Sequence, residues 1–330
     1  MSPALTLKIN LLRSRAQALA AARSFFAKRG VLEVDCNALV YKPPLDSNID
    51  VMSVAVTLRE VGYLHTSPEY AMKQLLCETA QDIYFLGHVY RQGEIGWRHN
   101  PEFTMAEWYR IGFSFDQMIE ETCDFITLFT KPLPKRKLSF RKAFEYYVGI
   151  NYSHDSIATL YDAAKRHAID LSENALLWDR DTFLSLLLTH VIEPKLGQEE
   201  LTILIDYPCS EAALACVVEK EGELVAERFE IYGNGLELAN GYHELDDPIE
   251  LRRRFTLKNE KRVEEGKEPY ALDEQFLSSL SKGKFPPCCG VSVGFDRVLM
   301  LKYKLQTISE ILLNPWASES LKSRSEINKK

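Results

Sequence analysis

Arg91-Gln92-Gly93-Glu94-Ile95-Gly96-Trp97-Arg98-His99-Asn100-Pro101-Glu102-Phe103-Thr104-Met105 stands between two strand-like stretches. The apolar run Ile83–Tyr90 ends on Arg91. A polar turn carrying Gly93 and Gly96 follows, His99-Asn100-Pro101 closes it, and an alternating stretch returns to about residue 111. Side chains alternate faces along a strand. Phe103, Met105, Glu107, Tyr109 and Ile111 therefore share one face, and Thr104, Ala106, Trp108 and Arg110 share the other. A carboxylate beside a phenol on a mainly apolar face suits a ligand ammonium; the same pattern also fits a solvated face with one charge.

Outward from this hairpin the chain alternates helices and strands without a βαβ rhythm. Leu11, Leu12, Ala16, Leu19, Phe25 and Phe26 recur at helical spacing, which predicts a helix over 7–29 that Gly30 stops. Residues 31–34 read as a short strand and 42–60 as a loop and outer hairpin. Ser67-Pro68-Glu69 reads as a helix start, with Ser67 at the N-cap and Pro68 in the first turn. A helix is expected over 115–129. Lys131-Pro132-Leu133-Pro134-Lys135-Arg136-Lys137 reads as a break, and 131–200 as an all-helical insertion. Strands resume at 201–206, 214–218, 225–232 and 236–240, helices at 248–265 and 273–281. The polar end, 317–330, reads as a frayed tail. This predicts an α+β fold, one catalytic domain over 1–330 built on an antiparallel sheet flanked by helices.

Gross composition narrows the function. The 330 residues carry 40 Lys and Arg against 47 Asp and Glu, a net charge of −7. A chain that grips a polyanion over a large surface usually has a positive face, so broad nucleic-acid binding is disfavoured. No apolar run reaches the ~20 residues of a bilayer span, and the start lacks a signal-peptide pattern. Seven cysteines, an odd count with no CxxC, predict reduced thiols and a cytoplasmic protein. The adjacent Cys288 and Cys289 read as small buried apolar residues.

Three further clusters carry chemistry. Glu69 places a carboxylate at a helix start, either as a ligand group or simply against the helix dipole. Gly235-Leu236-Glu237-Leu238-Ala239-Asn240-Gly241-Tyr242-His243-Glu244 puts two glutamates among glycines that admit a ligand closely. Such carboxylates suit Mg²⁺, which takes one or two of them together with phosphate oxygens; a surface turn is the plainer reading. Gly290-Val291-Ser292-Val293-Gly294-Phe295-Asp296-Arg297 sets Arg297 in the first turn of a helix, a favourable place for phosphate. His99 reads as a donor that fixes the loop.

The Arg91 loop resembles motif 2 of the class II aminoacyl-tRNA synthetases in its lysyl form, with Arg98-His99-Asn100-Pro101-Glu102-Phe103-Thr104 its most specific part. The four clusters follow in the order of that family's core, and the resemblance runs over about residues 8–316. It is similar to the lysyl-tRNA synthetases, and more so to shortened members that attach a lysine-like amino acid to the translation factor elongation factor P. The resemblance implies a homodimer, formed partly through residues 15–40, and activation of lysine or β-lysine by ATP with Mg²⁺. It assigns Arg91 to the α-phosphate and the amino-acid carboxylate, and Arg297 to the γ-phosphate. Gln92, Gly93, Glu94, Asn100, Phe103, Glu237, Leu238 and Gly294 would line the nucleotide. Glu237 and Glu244 would meet Mg²⁺. Ser67, Pro68, Glu69, Glu107, Tyr109, Glu244 and Ser292 would form the amino-acid pocket.

Three positions depart from the family pattern. Gly93 stands where motif 2 has the glutamate that meets adenine, with Glu94 one residue later. Asp35-Cys36-Asn37 replaces the proline-bearing end of motif 1. Ser292 replaces a glycine of the lysyl-tRNA synthetases and narrows the pocket. The core helix begins near residue 8, which leaves no room for an anticodon-binding domain, so anticodon-dependent tRNA binding is not expected. The expected activity is ligation of a lysine-like acid to a protein lysine. The alternatives are a non-catalytic paralogue that binds an amino acid or nucleotide, and lysyl-tRNA charging.

Overall fold

The computed structural model describes residues 3–46, 49–281 and 285–316, the side chains from residue 9 onward. The 317–330 tail lies outside them. The chain divides into two compact units: residues 1–112, 128–130 and 246–330 in the first, 113–127 and 131–245 in the second.

In the first unit, Ile83–Tyr90 and Glu102–Ile111 form the expected antiparallel hairpin, in register from Ile83 opposite Tyr109 to Tyr90 opposite Glu102. Cys288–Gly294 continues the sheet antiparallel to Glu102–Ile111. Leu32–Glu33 joins the other side in parallel with Ile83 and Tyr84, so the sheet is mostly rather than wholly antiparallel. The first helix, Pro3–Ala27, closes at Gly30, whose φ of +68° a residue with a side chain rarely adopts. Its Phe26 is fully buried, stacks on Tyr84 at 4.1 Å between ring centroids and meets Trp108 edge-on at 5.2 Å. A buried aromatic of this kind contributes about 3 kcal/mol. The outer hairpin is a three-stranded sheet of Leu39–Val40, Val61–Leu64 and Met52–Ala55.

The same helix is tied to the far end of the sequence. Arg15 pairs with the buried Asp296 and donates to Thr104 Oγ1 at 2.7 Å, while Thr104 N donates to Asp296 Oδ2 at 2.7 Å. Asp296 opens the helix Phe295–Tyr303. Its carboxylate thus fixes the start of that helix against the Glu102–Ile111 strand.

In the second unit, Leu236–His243 pairs antiparallel with Glu223–Gly233, which pairs with Leu201–Pro208 and with Val217–Lys220. The segment 131–200 is not all helical. Lys135–Ser139 is a strand, parallel to Leu201–Pro208 from Lys135 opposite Leu201 to Ser139 opposite Ile205. Helices Phe140–Tyr147, Ile157–Arg166 and Arg180–Leu187 follow. Ser139, Ser156 and Asp179 cap them, each side chain accepting a backbone N–H. Their apolar faces build one core with Leu204, Tyr207, Ala226 and Tyr232 of the strands.

Candidate functional site

The hairpin sets Arg91 where its strand ends. Arg91 N donates to Pro101 O at 2.8 Å, and Gln92 N donates to Asp50 O at 2.9 Å, so both flanks of the turn are held. Asp50 is held in turn by the buried Arg262, 3.0 Å away, whose guanidinium lies 4.0 Å over the Tyr270 ring. Gly93 has a φ of +77°, a conformation glycine adopts without strain. Glu94 turns inward: its carboxylate lies 3.6 Å from Arg91 and 4.0 Å from His99 Nε2. Arg297 donates through NH2 to His99 Nε2 at 2.8 Å. Glu94, paired with Arg91, and His99, bonded to Arg297, thus stand next to each other and bring the two arginines into one cluster. Burial, then the charges of Arg297, Arg98 and Arg91, push the His99 imidazole down to about 3. It stays neutral and accepts from Arg297, whereas the sequence reading cast it as a donor. Arg91 Nε is buried and makes no hydrogen bond among the described residues, and its guanidinium lies 5.1 Å over the Phe103 ring. Gly294 precedes the Arg297 helix; a methyl there would sit 3.6 Å from Arg297 Cδ.

A second cluster lies on the Glu107 face. Glu107, 3% exposed, accepts from Ser67 Oγ at 2.7 Å and from Tyr109 OH at 2.9 Å. The Tyr109 bond is direct proof that the two side chains share a face. Ser292 stands directly opposite Glu107 on the neighbouring strand, and Gly290 opposite Tyr109. Ser67 Oγ also accepts from Glu69 N at 3.0 Å. Pro68, not Ser67, is the helix N-cap, and the helix runs Glu69–Thr79. The hydroxyl of Ser67 thus joins the helix start to Glu107. Burial, and then the charge of Glu69, raise the Glu107 carboxyl to about 8. Lys73, one turn after Glu69 and 2% exposed, donates to Glu69 Oε1 at 2.7 Å. The sequence reading missed Lys73, although its i+4 spacing from Glu69 on an acidic helix start was a usable signal.

Asn100 is held at both ends of its amide. Its Nδ2 donates to Glu102 O at 2.6 Å and its Oδ1 accepts from Trp316 N at 2.8 Å. Both ends of the amide brace the loop.

Glu237, Leu238 and Glu244 belong to the second unit. Strict alternation would set residues seven apart on opposite faces. The ladder runs Glu230 opposite Asn240, Ile231 opposite Ala239, then Tyr232 opposite Glu237, which leaves Leu238 as an extra residue. This bulge shifts the parity, so Glu237, Asn240, Tyr242 and Glu244 share one face. Leu238 and Ala239 are both buried on the other side. No cluster of three or more His, Cys, Asp or Glu suited to a metal occurs among the described residues. Two carboxylates on one face fit a cation that draws its remaining ligands from phosphate and water, as Mg²⁺ does.

The family model described as tRNA synthetases class II (D, K and N) matches residues 7–318. The chain belongs to the class II tRNA synthetases. Among its relatives, the elongation factor P–(R)-beta-lysine ligase of Vibrio vulnificus is 39% identical over 317 residues, 94% of this chain and 97% of the relative. The ligase of the same name from Haemophilus ducreyi is 39% identical over 312 residues, 93% of this chain and 94% of the relative. That from Vibrio parahaemolyticus is 37% identical over 319 residues, covering 94% and 97%. The expected family and its α+β fold thus stand. No helix among the described residues is long and apolar enough to cross a membrane.

Proposed function

We propose that the protein is an ATP-dependent, AMP-forming ligase. It joins the carboxylate of lysine or β-lysine to the α-phosphate of ATP, releasing pyrophosphate. It then transfers the acyl group to the ε-amine of a lysine on elongation factor P, releasing AMP. The observation that carries this reading is the grouping of Arg91 and Arg297 about Glu94 and His99, in the same unit as the buried Glu107 and its neighbours Ser67, Glu69 and Tyr109.

Attack of a carboxylate on phosphorus needs charge neutralisation and positioning more than a protein nucleophile. Arg91 would hold the α-phosphate and the reacting carboxylate. Arg297, delivered by a helix first turn, would hold the γ-phosphate. Neutral His99 orients Arg297 without adding charge. Phe103 and the backbone at Gln92, Gly93 and Gly294 would border the base. Glu237 and Glu244 would hold Mg²⁺, which neutralises phosphate charge when bound. In the pocket, Glu69 and Glu107 would receive the two amino groups of the substrate, with Tyr109 and Ser67 orienting Glu107. Ser292, opposite Glu107, would set the room left for the carbon chain. The relatives' names supply the acceptor; cytoplasmic location and a homodimer complete the proposal.

The test is amino-acid-dependent pyrophosphate exchange with α-lysine and with (R)-β-lysine, followed by labelling of elongation factor P. Exchange with one of them and label on a lysine of the factor are expected. Silence with both would refute the reading. Gly93, in place of the motif 2 glutamate, favours a second reading, a non-catalytic paralogue; lysine binding without ATP binding in calorimetry would select it.

A further inference from the structure

The face that carries Glu237 and Glu244 is backed, on the adjacent strand, by a buried polar relay. Arg228 donates to Glu230 Oε1 at 2.6 Å and to the Glu211 carbonyl at 2.7 Å. Tyr232 donates its hydroxyl to Glu230 Oε2. Glu230 is 5% exposed. The Arg228 guanidinium lies 4.5 Å over the Tyr207 ring, and Tyr207 packs on Phe140 at 5.1 Å between ring centroids. The relay is thus clamped from the side of the helical segment.

Its other side meets the candidate cation face. Arg228 stands opposite Tyr242, Glu230 opposite Asn240, and Tyr232 opposite Glu237. Side chains directly opposite on a sheet lie about 4.5–5.5 Å apart at Cβ. The Tyr232 rung is also the one where the register shifts at Leu238. A bulge lacks the ladder hydrogen bonds that fix ordinary strand positions. The hydroxyl of Tyr232 ties that rung through Glu230 and Arg228 to the backbone at Glu211. Stability does not account for the relay, because a buried ion pair is commonly no more stable than apolar side chains of similar volume.

We infer that Arg228, Glu230 and Tyr232 are positioning residues that hold the bulged strand so that Glu237 and Glu244 face a divalent cation bound with a nucleoside triphosphate. The inference rests on the ATP-dependent reading above. Partners that orient the groups around a metal typically set its affinity within a factor of 10–100.

Two variants test it. Tyr232→Phe deletes one hydroxyl, and Glu230→Gln removes one charge at nearly constant shape. Calorimetric titration with ATP at a series of free Mg²⁺ concentrations gives the Mg²⁺ midpoint of binding. A parallel titration with lysine alone, and the melting temperature, serve as controls. In both variants the midpoint should rise roughly tenfold, with lysine affinity unchanged within about twofold. A midpoint equal to wild type in Tyr232→Phe, or one that moves only in step with lysine affinity and melting temperature, overturns the inference. If wild type itself shows no Mg²⁺-dependent ATP binding, it is the functional reading that falls. Should Glu230→Gln fail to fold, Tyr232→Phe decides alone.

Discussion

If the proposed pocket takes lysine, Glu107 should release a proton on binding. In the empty protein its carboxyl is raised to about 8 by burial and by Glu69. At pH 7 it lies one unit below that value and is about one-tenth ionised, so ionising it costs about 1.4 kcal/mol. An ammonium group docked against it favours the charged form. Binding of lysine at pH 7 should therefore expel roughly 0.9 of a proton, and apparent affinity should climb about tenfold per pH unit below 8 and flatten above. Calorimetry in buffers of different ionisation enthalpy counts the proton directly. Glu107→Gln should abolish the buffer dependence and weaken binding about 10- to 100-fold, the worth of a charge-assisted hydrogen bond. The sign for stability runs the other way. A carboxyl raised from 4.5 to about 8 in the folded state favours folding most fully below 4.5, and that contribution is lost as pH climbs through 8. The ligand-free Gln variant should then be the more stable protein above pH 8, by something on the order of a few kcal/mol. Heats independent of buffer, together with unaltered lysine affinity in Glu107→Gln, would refute the reasoning.

Other perturbations are as direct. Arg297→Met should slow pyrophosphate exchange about 10²- to 10³-fold, and NMR titration should find the His99 imidazole raised from about 3, though short of its ordinary value because burial is the larger cause. Ser292→Leu should fill the space opposite Glu107 and abolish lysine binding in calorimetry while ATP binding persists; Ser292→Gly should shift the ratio of kcat/KM for α- and β-lysine. Arg262→Met removes the ion pair to Asp50 and the contact with Tyr270, and should lower unfolding free energy in urea by about 1–3 kcal/mol.

What could be read from the sequence was local. The hairpin from Ile83 to Ile111 was legible because alternation, two glycines and His99-Asn100-Pro101 all agree on one shape. Glu107 and Tyr109 were placed together by a period of two. The strand Lys135–Ser139 was hidden: three of its five residues are basic, two prolines precede it, and its partner Leu201–Pro208 lies more than sixty residues on. Such an edge strand is specified by tertiary pairing rather than propensity. Lys73 went unread because Glu69 was weighed as a ligand group or against the helix dipole, and not as the partner of a lysine one turn on. The Ser292–Glu107 pairing depends on register between strands far apart in the chain, which no local pattern encodes. The bonds of Asn100, to Glu102 and to Trp316, likewise include one to a residue more than two hundred positions away.

The unpaired Leu238 has a consequence for anyone altering this strand. Forcing it into regular pairing would leave the two acids seven apart on opposite faces, whereas deleting it would leave them six apart and still on one face. The bulge and the residue count together set which way the two acids point. A graft of this strand into another scaffold must keep the irregular pairing or drop the surplus leucine.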